Sequence, residues 1–152
     1  MTYPIRYIQY LNLPRIPDEI LSELNYNFKE YDILDGATWS NSFNEKIDKW
    51  CKDNICDTMY WAFMISQDNL RIHKDYYTKT KINYIITPGG NNVATEWYDK
   101  DKTTLLDSVV IEPHRWHIFS ADVHHCTKNM EPGKTRFSIS GQVFRTIQNE
   151  GE

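Results

Sequence analysis

The sequence predicts a mainly β protein: two helices near the N-terminus, then eight short strands folded as a jelly roll of two packed antiparallel sheets. Apolar residues at helical spacing occur only before Asp57, whereas from Met59 onward aliphatic and aromatic residues gather in short runs. Clusters of Gly, Pro, Asn and Asp separate those runs, as turns separate strands.

At the N-terminus, Ile5, Tyr7, Gln9 and Leu11 alternate with Arg6, Ile8 and Tyr10, a strand over 5–11 covered on both faces and ended by Pro14 and Pro17. Ile20, Leu21, Leu24, Phe28 and Tyr31 then form an apolar stripe at helical period, with Pro17 where a helix start tolerates it. Asp35-Gly36 reads as a turn, and Ser42 followed by Glu45 as a capping box for a second helix that turns Phe43, Ile47, Trp50 and Ile55 inward. The helical part thus covers about 17–55 and the jelly-roll core about 59–145. Within that core, strands are expected over 59–66, 70–75, 81–87, 93–98, 108–112, 116–120, 123–127 and 135–144. Pro88-Gly89-Gly90-Asn91-Asn92 and Met130-Glu131-Pro132-Gly133-Lys134 are hairpin loops, and Glu112-Pro113 and Ala121-Asp122 are corners.

The chain of 152 residues is long enough for a substantial core, and no composition break, repeat or low-complexity tract divides it, so 1–152 reads as a single domain. A net charge of −4 with acids and bases interspersed points away from nucleic acid and from a membrane surface. No apolar run reaches membrane-spanning length, and Met1-Thr2-Tyr3-Pro4-Ile5-Arg6 lacks the basic and apolar regions of a secretory signal, which predicts a cytoplasmic location. Cys51, Cys56 and Cys126 are odd in number and lack C-x-x-C spacing, so buried thiols fit better than a disulfide framework or a closed zinc site.

Chemistry centres on Arg71-Ile72-His73-Lys74-Asp75. On an extended strand His73 and Asp75 project side by side while Lys74 points away. An imidazole and a carboxylate suit a divalent first-row metal, and two His plus one carboxylate with open positions is the non-haem Fe(II) oxygenase set. A lone H-x-D is more often a charged strand end, so the downstream chain must decide. There, His124 and His125 each offer a second imidazole, and a regular strand turns only one of them inward. On the last strand Arg136 and Ser138 share one face, and Phe137, Ile139 and Val143 the other. A guanidinium beside a hydroxyl grips a carboxylate, because Arg offers paired donors in a fixed fork and stays charged when buried. An anionic small molecule near the metal follows.

In this order, His73-Lys74-Asp75, a distal His some fifty residues on, and Arg136-Phe137-Ser138 about ten residues later, the sequence resembles the Fe(II)- and 2-oxoglutarate-dependent oxygenases. The resemblance spans roughly 59–144, including the strand over 81–87, its Gly-Gly hairpin and Thr95-Glu96-Trp97-Tyr98. It implies a double-stranded β-helix, the cupin-like form of jelly roll. It also implies that His73, Asp75 and His125 bind Fe(II), and that Arg136 with Ser138 holds the distal carboxylate of 2-oxoglutarate. The implied reaction uses O2 to hydroxylate an aliphatic carbon of an amino acid or peptidyl side chain, releasing succinate and CO2, so the partner is a small molecule or peptide. His125 is preferred over His124 because such families tend to place the distal His six residues after the apolar end of the preceding strand, here Phe119. A bulge would exchange the two. Asn83 is expected beside the cosubstrate and Trp97 in the substrate pocket. A cupin-like metal enzyme without 2-oxoglutarate leaves Arg136 and Ser138 unexplained, and a non-catalytic jelly-roll binding module leaves the ligand set idle.

Other features weigh less. His114 and His117 are three apart, on opposite faces of a straight strand, and read as turn or surface residues. Gly133-Lys134-Thr135 ends like a phosphate loop, but Lys128 stands where the first glycine is required. Asp99-Lys100-Asp101-Lys102 is a solvated loop.

Overall fold

This computed structural model describes residues 7–22, 24, 39–75 and 78–143. The described chain runs β1 (Ile8–Tyr10), α1 (Asp18–Leu21), β2 (Trp39–Phe43), α2 (Glu45–Asn54), β3 (Met59–Ser66), β4 (Thr80–Thr87), β5 (Ala94–Tyr98), β6 (Leu105–Val109), β7 (Trp116–Ser120), β8 (His124–Lys128) and β9 (Arg136–Val143). It is mainly β, in two sheets whose pairings are all antiparallel: a six-stranded sheet in the order β1-β7-β4-β9-β3-β2 and a three-stranded sheet in the order β6-β5-β8.

The two-residue period of a strand divides the large sheet into an apolar face and a polar one. Trp61, Phe63 and Ile65 of β3, Tyr84 and Ile86 of β4, Trp116 of β7, and Phe137 and Ile139 of β9 join Ile47 and Cys51 of α2 in one buried cluster. Their alternates, Met64, Asn83, His117, Ser138 and Ser140, line a cavity instead. Helix α2 is pinned to this sheet by Asp48, whose Oδ1 accepts the Trp61 N–H at 2.8 Å while its Oδ2 pairs with Lys52 at 2.9 Å. Leu21 and Leu24 add to the same cluster.

Strands β3 and β7 have the expected bounds, and β4, β5, β8 and β9 agree with expectation to within about one residue at each end. The departures have physical reasons. Strand β1 is a short edge piece pairing only with β7, and its Gln9 is exposed rather than covered. Of the helical stripe, Ile20 and Leu21 lie in α1; Phe28, Tyr31 and Asp35-Gly36 lie outside the described residues. Residues 39–43, expected as a turn and helix start, form β2 along β3. The cap of α2 is therefore Asn44, not Ser42: its Oδ1 accepts the N–H groups of Lys46 and Ile47 at 3.0 and 3.1 Å. Phe43, left on the strand, is 55% exposed instead of inward. The strand expected over 108–112 lies at Leu105–Val109, and residues 110–115 are spent on the connection in which His114 takes φ 61°.

The stretch 70–75 is not a named strand. It runs antiparallel beside β8, with the Thr127 N–H donating to the Leu70 carbonyl at 3.1 Å and the Asp75 N–H to the Ala121 carbonyl at 2.8 Å. Between them His73 and His125 form an isolated bridge. All three cysteines are free; burial pushes the Cys51 thiol up to about 12, which keeps it protonated and inert. No helix among the described residues is long and apolar enough to cross a membrane.

Candidate functional site

Between the sheets lies a cavity of about 650 Å³, lined by Asn83, Ile85, His117, Phe119, Arg136, Ser138 and Ser140 from the large sheet, and by Thr95, His125, Cys126 and Thr127 from the small one. The segment 69–75 closes one side with Asn69, Leu70, Arg71, His73 and Asp75. That volume suits a small-molecule site.

One wall carries two imidazoles. The His73 N–H donates to the His125 carbonyl at 3.0 Å and the His125 N–H returns to the His73 carbonyl at 2.8 Å, which brings the two rings to 4.4 Å between centroids. Each ring is wired alike: Nδ1 of His73 lies 2.7 Å from the Arg71 carbonyl, and Nδ1 of His125 lies 2.7 Å from the Val123 carbonyl. A carbonyl only accepts, so both Nδ1 atoms carry a proton, and in the neutral form of each ring Nε2 is the atom that keeps the lone pair. This second contact is what orients a metal-binding histidine and fixes its tautomer. Burial pushes His125 down to about 4, so its ring is neutral at neutral pH, the form that ligates. His124, one residue away, alternates to the other side of β8 opposite Tyr98 and does not line the cavity.

Asp75 lines the same cavity, but its Oδ2 faces Lys81 Nζ at 3.5 Å. Among the described residues, no three His, Cys, Asp or Glu side chains converge on one point as a closed metal site. The donor types, two imidazoles and a carboxylate, fit a divalent first-row metal.

The other wall carries a buried cation. Arg136 is 7% exposed, and its Nη1 donates to the Pro88 carbonyl at 3.1 Å. Burial pushes its guanidinium down to about 10, still charged at neutral pH, and among the described residues no carboxylate pairs with it. A buried charge without a partner is costly, and an anionic ligand would supply one. The neighbouring Ser138 is buried on the same face. Gly89 makes the Pro88 contact feasible: it holds φ 86°, and a Cβ there would stand 2.8 Å from Met130 Cε and 3.2 Å from Arg136 Cβ.

No known family model matches the chain, and no curated protein matches it. The site alone therefore carries the functional argument.

His73, Asp75, His125, Arg136, Ser138 and Asn83 all line the cavity. Trp97 does not: it is fully buried against Phe119 and Ala121, stacks on Tyr7 at 5.6 Å, and donates its Nε1–H to the Ser120 carbonyl at 3.0 Å. It is a packing residue, paired in register with His125 on the neighbouring strand. His117, read from sequence as a turn or surface residue, is 1% exposed and faces the cavity from β7. Its Nδ1 lies 3.2 Å from the Arg115 carbonyl. Strand parity carried that signal, because His117 and Phe119 must oppose Trp116 and Ile118. The same rule reaches Lys81 and Ser140, which share faces with Asn83 and Ser138. Among the described residues, buried Oδ1 of Asn83 and Oγ of Ser140 have no hydrogen-bond partner, so the cavity floor offers polar groups to a ligand.

Proposed function

We propose that the chain is an Fe(II)- and 2-oxoglutarate-dependent oxygenase of double-stranded β-helix architecture, hydroxylating an aliphatic carbon of a small molecule or peptide. The observation that carries this reading is the pairing of opposite needs in one cavity: two Nδ1-anchored imidazoles and a carboxylate on one wall, and on the other a buried Arg136 beside Ser138 that no carboxylate among the described residues pairs with. Supporting the architecture, successive segments alternate between the sheets: β3, 70–75, β4, β5 with β6, β7, β8, β9.

When bound, Fe(II) and 2-oxoglutarate use O2 to place one oxygen atom on the substrate carbon and the other in succinate, with loss of CO2. His73, His125 and Asp75 would hold the metal through two Nε2 atoms and a carboxylate oxygen. Arg136 and Ser138 would hold the far carboxylate of the cosubstrate, fixing its orientation toward the metal wall. Phe119, with its ring 5.5 Å from that of His125, keeps water from the side of that ligand.

The test is aerobic succinate release from 2-oxoglutarate with added Fe(II), across a panel of free amino acids and peptides and with no substrate, together with the visible spectrum of the anaerobic mixture. The reading expects a weak charge-transfer band that Asp75→Ala and His73→Ala remove, and succinate above the metal-free background. Neither band nor succinate sinks it.

A further inference from the structure

The charges around the cavity do not balance. Its described lining carries three cations, Arg71, Lys81 and Arg136, against one carboxylate, Asp75. The chain as a whole runs the other way, with 21 acidic residues to 17 basic ones, so the excess is a property of this site and not of the composition. If the site is filled as proposed above, on which this inference rests, the two charges of Fe(II) and the two of 2-oxoglutarate cancel. The same two positive charges remain.

Two of the three cations already have a task. Arg136 meets the cosubstrate, and Lys81 sits 3.5 Å from the Asp75 carboxylate on the metal wall. Arg71 has none: among the described residues no carboxylate pairs with its side chain, although its carbonyl accepts the His73 Nδ1–H at 2.7 Å. That hydrogen bond ties the Arg71 backbone to a metal ligand, and the exposed side chain borders the cavity from the segment that closes it. Asn41 of β2 and Met64 of β3 also line the cavity, and Asp75 is the one acidic residue in its described lining. A guanidinium two residues from a metal ligand places one end of a bound molecule while its body lies toward the metal.

We propose that the substrate is an organic acid, seated by its carboxylate or phosphate group on Arg71 with the remainder of the molecule directed to the metal wall. Amines and peptides without an acidic group are excluded by the residual positive field. Lys81 adds to that field without gripping the ligand directly.

The experiment loads the full chain with Mn(II) and saturating 2-oxoglutarate, verifies the loading by calorimetry, and follows para-fluorobenzoate, para-fluorophenyl phosphate, para-fluorobenzamide and para-fluorobenzylamine by fluorine NMR. These probes share a ring and differ in charge, and the paramagnetic ion broadens only those bound near it. At least one of the two anions should bind about tenfold tighter than the amide or the amine, the scale of a charge-assisted contact. Which anion wins distinguishes carboxylate from phosphate. Arg71→Gln should erase the preference while leaving 2-oxoglutarate affinity unchanged, and Arg71→Lys should restore part of it. Equal binding by all four probes, binding by none, a preference for the amine, or an unchanged preference in Arg71→Gln overturns the proposal. Failure of Mn(II) and 2-oxoglutarate to load is a separate result that removes the oxygenase reading. The same probes on the Arg136→Met protein, with and without Arg71→Gln, then decide the anion preference by affinity alone.

Discussion

The His73 and His125 rings stand 4.4 Å apart because each residue's N–H donates to the other's carbonyl, an isolated bridge outside any regular ladder. Two imidazoles are thus set in position by backbone bonds and by their own Nδ1 contacts before a metal arrives. Preorganisation of that kind lowers the ordering cost of binding. His73→Ala and His125→Ala should each weaken Mn(II) or Fe(II) binding at least about tenfold, since even the loss of an outer partner costs that much. His124→Ala should leave it unchanged. Calorimetric titration of the three variants checks this, and a loss confined to His124→Ala would transfer the role to that residue.

Arg136 stores the opposite kind of readiness. A buried guanidinium that no carboxylate among the described residues pairs with destabilises the ligand-free protein, so Arg136→Met should raise its unfolding free energy by on the order of 1 kcal/mol. The same change should abolish stabilisation by 2-oxoglutarate, which for a folded-state ligand at about a hundredfold excess over Kd amounts to about 2.7 kcal/mol. Thermal unfolding with and without the cosubstrate measures both. A variant that is destabilised when empty yet still stabilised by 2-oxoglutarate would remove Arg136 from the anion site.

Most of the large sheet was legible because its strands obey a single rule. In β9, Phe137 and Ile139 enter the helix-covered core while Arg136, Ser138 and Ser140 enter the cavity, and the two-residue period displays that division directly. Such parity names the members of a face but not what the face meets, which is why Trp97 was read as pocket although it packs under Phe119. The sequence predicts a strand over 70–75, yet the hydrogen bonds of this segment to β8 do not keep one register, a tertiary outcome that no local pattern contains. The missed β2 has the same cause: pairing with β3 draws residues 39–43 out of the expected helix start, and the cap passes to Asn44.

On the proposed reading, Lys81 and a divalent metal would compete for the Asp75 carboxylate. At 3.5 Å from Asp75 Oδ2, its ammonium stands near the third ligand and adds a like charge near an incoming cation. Lys81→Met keeps the stem that packs beside the cavity and removes the charge. Divalent-metal affinity should rise by roughly threefold to tenfold, a scale set by a partly screened pair. Calorimetry at low and high salt separates the electrostatic part, which should shrink as salt is added. Unchanged affinity at both would mean that Asp75 does not ligate.

His117 supplies an acid-sensitive term independent of any metal. Burial, opposed by the Arg115 carbonyl that accepts its Nδ1–H, pushes the ring from the ordinary 6.5 down to about 4. The unfolded chain therefore takes up a proton as pH falls below about 6.5, while the folded chain refuses it until about 4. Stability from this group is complete above the upper value and is lost on acidification between the two, by on the order of 3 kcal/mol. His125 carries a shift to the same value, so the wild-type acid limb contains two such contributions. His117→Phe keeps a ring in the floor and removes one of them. Urea unfolding of the metal-free protein at several pH values from neutral to about 4 should then show roughly half the wild-type acid loss. An unchanged acid limb would mean that burial does not hold the His117 ring neutral and would overturn this prediction.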